Sequence, residues 1–224
     1  MTAPSPLVIA IDGPSASGKG TIAKKLAAHF DFAHLDTGLL YRAVGLAILR
    51  QKGNPADPVL AEKAALALNA SQIMDMANDV DLRGDEASLA ASKVAAIPAV
   101  RAALLKFQRD FCALPPKSKK GAVLDGRDIG TIIAPDAVVK IFVTASAEAR
   151  AERRFKELQA RGQDATYAAV LADMKERDRR DAERSIAPTK PAFGAVVLDT
   201  TKLNAEQAFA EALRIANMKL ATSL

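Results

Sequence analysis

The clearest chemical pattern in the chain is a glycine-rich segment that follows its first apolar run, residues 7–11. The segment consists of Gly13, Pro14, Ser15, Ala16, Ser17, Gly18, Lys19, Gly20 and Thr21. Glycines let successive backbone N–H groups surround a phosphate, the next helix adds its positive N-terminal end, and the lysine supplies a full charge. Because strand, loop and helix follow in this order, the pattern predicts a phosphate-binding loop rather than an ordinary glycine-rich turn.

Two more polar clusters follow predicted strands, where ligands bind in open parallel sheets. The first runs from Asp36 through Thr37 and Gly38 to Tyr41 and Arg42, and its alternative interpretation is a helix cap formed by Asp36 or Thr37. The second reads Asp125-Gly126-Arg127-Asp128-Ile129-Gly130-Thr131. Two carboxylates flanking an arginine are costly to leave unpaired, so a tight turn with an internal ion pair is its alternative interpretation.

Arginines are concentrated on two predicted helices. Arg177, Asp181 and Arg184 are spaced i, i+4 and i+7, so they lie on one helix face. A second group comprises Arg150, Arg153 and Arg154. Such runs are ordinarily solvated, salt-bridged surfaces, but positive charge is also what a phosphoryl-transfer site must bring over its substrate.

Apolar strand patterns alternate with longer helical patterns along the chain. Strands are predicted at 7–11, 32–35, 122–124, 138–143 and 195–198. Helices are predicted from the glycine-rich loop to Phe30 and at 39–51, 58–68, 98–111, 147–160, 167–183 and 205–220. Residues 70–91 have no clean period and are interpreted as an irregular insertion, with room for one short strand pair. The alternation predicts an α/β fold whose five-stranded parallel sheet is covered by helices on both faces.

Composition excludes several classes of protein. The chain has 224 residues, 50% of them hydrophobic and 25% charged, which suits one compact core and excludes disorder. One cysteine, Cys112, and two histidines cannot form an internal disulfide or a Cys/His metal cage. No apolar run approaches the roughly 18 residues of a membrane span, and the first residues do not resemble a signal peptide, so we expect a cytoplasmic protein without membrane contact.

Taken together, these motifs resemble the bacterial cytidylate kinase family. Besides the segments above, the resemblance includes Ser92-Lys-Val-Ala-Ala-Ile-Pro98 followed by Arg101, and the order of the motifs is that of the family. The spacing of Lys19, Gly20 and Thr21 is the variant found in nucleoside monophosphate kinases. The resemblance implies a P-loop nucleoside monophosphate kinase fold with a core at 1–57 and 120–224, a nucleotide-binding insertion at about 58–105 and a lid at about 150–168.

The resemblance also implies the chemistry: ATP as phosphoryl donor with Mg²⁺ bound through ATP and waters, and CMP and dCMP as substrates of a monomeric enzyme. Every residue from Gly13 to Thr21 is expected to bind ATP, and Ala16 suits its position if its φ is negative. The residues expected to act in catalysis are Lys19, Arg127, Arg153, Arg177 and Arg184. The residues expected to bind CMP are Thr37, Tyr41, Arg42, Ser92, Arg101, Arg127, Asp128, Arg177, Asp181 and Arg184.

Cytosine recognition is assigned by the resemblance to Ser92, Arg101 and Asp128. A carboxylate can accept a hydrogen bond from the exocyclic amine of cytosine, whereas uracil presents a carbonyl oxygen at that place. This chemistry favours CMP over UMP.

Three other functions remain as alternatives. Another small P-loop kinase would share the fold and loop, but the Asp125–Thr131 segment counts against it. A GTPase would need an Asn-Lys-x-Asp tetrapeptide, which the sequence lacks. A nucleic-acid-binding module could use the net charge of +5, but only 4% of residues are aromatic and there is no Trp to stack on bases. We therefore expect no nucleic-acid partner.

Overall fold

The computed structural model describes residues 6–68, 79, 81–184 and 186–221. Its centre is a five-stranded parallel sheet in the order β2-β3-β1-β4-β5. The strands are β1 (Leu7–Asp12), β2 (Ala33–Asp36), β3 (Gly121–Gly126), β4 (Val139–Thr144) and β5 (Val196–Asp199). The predicted α/β fold class is thereby confirmed.

Helices connect the strands, and several begin at side chains that cap the first turn. They are α1 (Lys19–Phe30), α2 (Thr37–Arg50), α3 (Pro58–Ala67), α4 (Asp85–Val94), α5 (Pro98–Ala113), α6 (Ala147–Ala160), α7 (Tyr167–Glu183) and α8 (Ala205–Ala221). The Ser146 side chain accepts from Ala149 N before α6, and the Thr166 side chain accepts from Ala169 N before α7. These caps satisfy backbone donors that a helix start leaves without partners.

The chain forms two compact units, one made of Met1–Leu35 and Leu114–Leu224 and the other of Asp36–Ala113. The first unit contains the sheet, whose central strands carry apolar residues on both faces. Ile9, Ile11 and Ile141 are buried in one cluster with Leu26 of α1 and Ile215 of α8. Successive residues are buried from Ile9 to Asp12 of β1 and along the whole of β3, which explains the continuous apolar runs of these two strands, whereas buried and half-buried residues alternate along β4.

The second unit is helical, and its tightest packing is between α2 and α4. A Cβ built on Gly45 of α2 would lie 2.7 Å from the Cβ of Ala90 on α4. Only glycine therefore permits this approach of the two helices. Tyr41, Val44 and Ile48 of α2 share a buried cluster with Val94 of α4.

The prediction of an irregular segment at 70–91 is wrong for its second half. Residues 81–83 form a 3₁₀ turn, and Asp85–Val94 is a regular helix. Its buried face consists of small residues such as Ala87, Ala90 and Ala91, which give only a weak hydrophobic period. The rest of this insertion, which had room for one short strand pair, includes residues 70–78 and 80, and these lie outside the described residues.

Among the described residues, no single helix combines the length and the apolar composition of a membrane span, although the bent pair Asp85–Val94 and Pro98–Ser118 reaches both when counted together.

Candidate active site

The glycine-rich segment forms the connection between β1, which ends at Asp12, and α1, which begins at Lys19. Gly13 has a φ of +149°, and a Cβ at this position would lie 2.0 Å from the carbonyl oxygen of Val143. The Lys19 ammonium donates to the carbonyl oxygen of Pro14 at 3.2 Å, so the lysine folds back over the loop that precedes it. The predicted strand, loop and helix are therefore present in the expected order.

Ala16 differs from its expected conformation. Its φ is +55°, in the left-handed region that costs a residue with a Cβ about 1–2 kcal/mol. The methyl group of Ala16 packs against the apolar cluster between α6 and α7, which is formed by Ala151, Leu158, Val170 and Met174. Packing of this methyl group offsets part of the backbone cost.

Asp12, the last residue of β1, ties the phosphate loop to the segment after β3. Its two carboxylate oxygens accept hydrogen bonds from the backbone N–H groups of Ile129 at 2.7 Å and Gly130 at 2.8 Å. Burial raises the pKa of Asp12 to about 6, although the two backbone donors oppose the shift. The register of β1 and β3 is consistent with this link, because Asp12 pairs with Gly126, the last residue of β3 before the segment.

The raised pKa of Asp12 predicts a pH dependence of stability. The folded protein holds this proton more tightly than the unfolded chain, so the contribution is fully present below pH 3.8 and is lost as the pH rises to about 6. Relative to Asp12→Asn, the free energy of unfolding of the wild type should fall by about 3 kcal/mol across this window and then stay constant. Urea unfolding of both proteins from pH 4 to pH 8 measures the difference, and a difference independent of pH would contradict the prediction.

The carboxylates of the Asp125–Thr131 segment have separate surroundings. Asp125 is buried, and its Oδ2 lies 2.9 Å from Nε2 of His34 on β2. A Cβ built on Gly20 would lie 3.7 Å from Asp125 Oδ1, so this carboxylate also faces the start of α1. Asp128 is buried too, and its backbone oxygen accepts from Ile132 N at 2.9 Å.

Three arginines surround Asp181 near the end of α7. Arg127 Nε donates to one Asp181 oxygen at 3.1 Å, and Arg184 donates to the other. Burial alone would raise the pKa of Asp181, but Arg127, Arg184 and Arg177 outweigh burial and hold the pKa below its usual value. Guanidinium groups gathered in this way can bind an anionic phosphate.

The arginines of α6 have partners within the first unit. Arg150 is buried and forms a two-bond ion pair with Asp178 of α7. Arg153 donates to the side chain and the backbone oxygen of Thr200, just after β5. Arg154 pairs with Glu157 on its own helix at 2.8 Å. The lid expected at about 150–168 would contain these three arginines, and their contribution of charge to it stays a prediction; in this structure Arg150 is bound to protein groups.

The second unit contains the other residues expected to bind CMP. Asp36 caps α2 by accepting from Gly38 N at 3.0 Å, which confirms the capping alternative for Asp36, and Thr37 is buried in the first turn. The Arg101 guanidinium carbon lies 5.6 Å from the centre of the Tyr41 ring. Arg42 donates to the Leu82 carbonyl oxygen at 2.8 Å, and Ser92 is on the buried face of α4.

Sequence reasoning missed three polar residues of the first unit that the structure places against the loop or its neighbours. They are Asp12, Asp178 and Thr200. Asp12 directly precedes the glycine-rich segment, which is a signal that the sequence did contain. The partners of Asp178 and Thr200 are distant in sequence, so no local pattern identifies them.

A parallel sheet with a lysine-bearing glycine-rich loop between β1 and α1 is the arrangement of P-loop proteins, and it is consistent with the fold of the nucleoside monophosphate kinases. The cytidylate kinase family model matches residues 9–218, and the chain belongs to this family. A cytidylate kinase of Paramagnetospirillum magneticum is 61% identical over 212 residues, which cover 95% of this chain and 98% of that protein. A cytidylate kinase of Rhodospirillum rubrum is 54% identical, with 93% of this chain and 96% of that protein covered.

One solved structure shows the same fold at low sequence identity. It is a crystal structure of an uncharacterized protein from Eubacterium ventriosum, with a TM-score of 0.53 and 15% identity, covering 94% of this chain and 98% of that chain. At this identity the similarity concerns the fold alone.

Proposed function

We propose that the protein transfers the γ-phosphoryl group of ATP to CMP and dCMP. The observation that carries the proposal is the link made by Asp12, whose carboxylate joins the end of β1 to the segment after β3. This link fixes the phosphate loop beside Asp128, the residue proposed to read the base. Membership of the cytidylate kinase family over residues 9–218 supports the same assignment.

Charge and position are the proposed sources of catalysis. The loop from Gly13 to Thr21 binds the ATP phosphates, and Lys19 leaves the Pro14 carbonyl oxygen to contact them. The guanidinium groups around Asp181 bind the phosphate of CMP and neutralise charge as it develops. A CMP phosphate oxygen attacks the γ-phosphorus in line, and because a phosphate dianion is already nucleophilic, no strong general base is needed.

Mg²⁺ is expected to enter with ATP. Two suitable oxygen ligands are the Thr21 hydroxyl in the first turn of α1 and the carboxylate of Asp125 on β3. Asp125 faces the start of α1, since its Oδ1 would lie 3.7 Å from a Cβ built on Gly20. Within the described part of the chain, no three His, Cys, Asp or Glu residues form a cluster that could enclose an ion. The ion is proposed to be held mainly by phosphates and waters, and it would supply positive charge to the triphosphate.

The residues proposed to recognise CMP fall into two groups. Ser92, Arg101 and Asp128 are proposed to bind cytosine, with Asp128 accepting from the amine. The residues Thr37, Tyr41 and Arg42 are proposed to bind the CMP phosphate. A monomeric state, a cytoplasmic location and the absence of nucleic-acid or membrane partners belong to the same proposal.

A coupled ADP-release assay with ATP tests the proposed function. The purified protein is offered CMP, dCMP, UMP, AMP and GMP in parallel, with each nucleotide alone as a blank. We expect the highest kcat/KM with CMP and dCMP. Comparable rates with AMP or GMP would favour another small P-loop kinase, and binding of polynucleotide without turnover would favour the nucleic-acid-binding alternative.

Arg153 offers a test of the proposed lid. Arg153→Gln is expected to lower the rate of phosphoryl transfer much more than the affinity for CMP, because its charge acts once the lid has closed. Single-turnover rates and CMP dissociation constants measure the two effects. Arg214→Gln, which removes an exposed arginine of α8 paired with Glu211, is the matched control. Equal losses of rate and CMP affinity would place Arg153 in the monophosphate site.

A further inference from the structure

Two side chains from outside the phosphate loop bind its backbone carbonyl groups. Arg150 Nη1 of α6 donates to the carbonyl oxygen of Ser15 at 3.4 Å. Thr200 Oγ1, at the end of β5, donates to the carbonyl oxygen of Ser17 at 2.9 Å. Both side chains are almost completely buried, with residue exposures of 5% for Arg150 and 1% for Thr200. Their contacts are therefore made inside the protein rather than on its surface.

Arg150 is held in place by Asp178. Its two terminal nitrogens donate to the two Asp178 oxygens at 3.0 and 2.6 Å, and its Nε donates to the Ala145 carbonyl oxygen at 2.9 Å. A buried guanidinium is costly unless it is paired, and a two-bond ion pair fixes the plane of the group. Asp178 therefore determines where Arg150 meets Ser15.

Thr200 is held in a comparable way by Arg153. Arg153 Nη1 donates to Thr200 Oγ1 at 3.1 Å, which occupies a lone pair of the hydroxyl oxygen. The hydroxyl proton is then available for a carbonyl group, either that of Ser17 at 2.9 Å or that of Thr144 at 3.1 Å. The shorter distance favours Ser17.

Peptide geometry connects these carbonyl groups to phosphate binding. In a trans peptide unit, the C=O of one residue and the N–H of the next point in opposite directions. Carbonyl groups of Ser15 and Ser17 that are held toward Arg150 and Thr200 thus direct the N–H groups of Ala16 and Gly18 the other way. Backbone N–H groups that converge on one point form an anion-binding site. Packing of the Ala16 methyl group against the α6–α7 cluster restrains the same stretch of the loop.

We infer that Thr200 and the Arg150–Asp178 pair are positioning residues that aim the N–H groups of Ala16 and Gly18 at the ATP phosphates. The inference rests on the proposed function, since it requires ATP to bind this loop. It also assigns the α6–α7 pair a role in shaping the donor site.

Thr200 supplies the sharper test, because one variant replaces its hydroxyl by a methyl group and another keeps the hydroxyl and loses the methyl group. Thr200→Val removes the donor at nearly constant shape, and Thr200→Ser retains it. Calorimetric titration with ATP, inorganic triphosphate and CMP measures binding without turnover. We expect Thr200→Val to weaken the binding of ATP and triphosphate on the order of tenfold, whereas Thr200→Ser should bind both nearly as tightly as the wild type does. The CMP dissociation constant should change by less than about twofold.

Asp178 supplies an independent test. Asp178→Asn is expected to weaken ATP and triphosphate binding to a similar extent, because Arg150 loses the partner that orients it. Asp173→Asn, at an exposed position on the same helix, is the matched control and should bind as the wild type does. If Asp178→Asn does not fold because its buried arginine has lost its counter-charge, the Thr200 pair decides the question.

Two results would overturn the inference. One is a folded Thr200→Val protein that binds triphosphate as tightly as the wild type. The other is an equal loss of ATP and CMP binding, which indicates a general structural role. A wild-type protein that binds neither ATP nor triphosphate would instead contradict the proposed function, and that result is read from the first titration.

Discussion

Lys19→Ala is expected to lower turnover on the order of hundredfold to thousandfold, because it removes a preorganised charge from the transferring phosphoryl group. In the structure the ammonium group donates to the Pro14 carbonyl oxygen at 3.2 Å, so it is already held at the loop. ATP binding should weaken as well, while the CMP dissociation constant should change by less than about twofold. Steady-state kinetics and CMP titration give the two quantities.

A second lysine of α1 provides the control for this experiment. Lys24 is exposed on the same helix, so Lys24→Ala removes an equal charge without touching the loop. The control should retain wild-type turnover. Near-normal turnover in Lys19→Ala would refute the assignment of this lysine to the ATP phosphates.

Asp128→Asn is expected to change the choice of base. The substitution removes a charge-assisted hydrogen bond to the cytosine amine, worth roughly 1.5–3 kcal/mol. The corresponding loss of kcat/KM with CMP is about tenfold to hundredfold. Because an asparagine amide can donate to the carbonyl oxygen of uracil, kcat/KM with UMP should fall much less or should rise.

The CMP/UMP ratio of kcat/KM is the measurement, since it cancels general damage to the fold. Asp136→Asn, at an exposed position a few residues further on, should leave the ratio unchanged. If Asp128→Asn lowers kcat/KM equally with CMP and UMP, Asp128 has a structural role and the proposed base recognition is wrong.

Elements with strong local signals were predictable from the sequence. The bounds predicted for α6 and α7, 147–160 and 167–183, agree with the structure because each helix has a hydroxyl cap directly before it. β3 extends beyond its predicted residues 122–124 to Gly121 and Gly126, since pairing with β1 sets its ends. α4 was missed because its small residues become a packing surface only where they face Gly45.

The same distinction holds for the residues of the site: contacts within one helix were predictable, whereas contacts between distant elements were not. Helical spacing predicted that Arg177, Asp181 and Arg184 share one face, and the structure joins Arg184 to Asp181. The addition of Arg127 to this group depends on the sheet, which places the end of β3 near the end of α7. Likewise, the positive φ of Ala16 is accompanied by packing of its methyl group against α6 and α7, which a loop motif does not encode.

Strand order has a consequence for synthesis on the ribosome. Leu7 pairs with Gly121, so β1 cannot pair with β3 until β3 has been synthesised. The whole of Asp36–Ala113 is synthesised between the two strands. That intervening unit is continuous in sequence, whereas the sheet requires contacts between distant residues, which form slowly. We therefore expect the second unit to become compact first during translation, although the chain begins with the first. Until β3 emerges, the nascent β1 has no strand partner on that side.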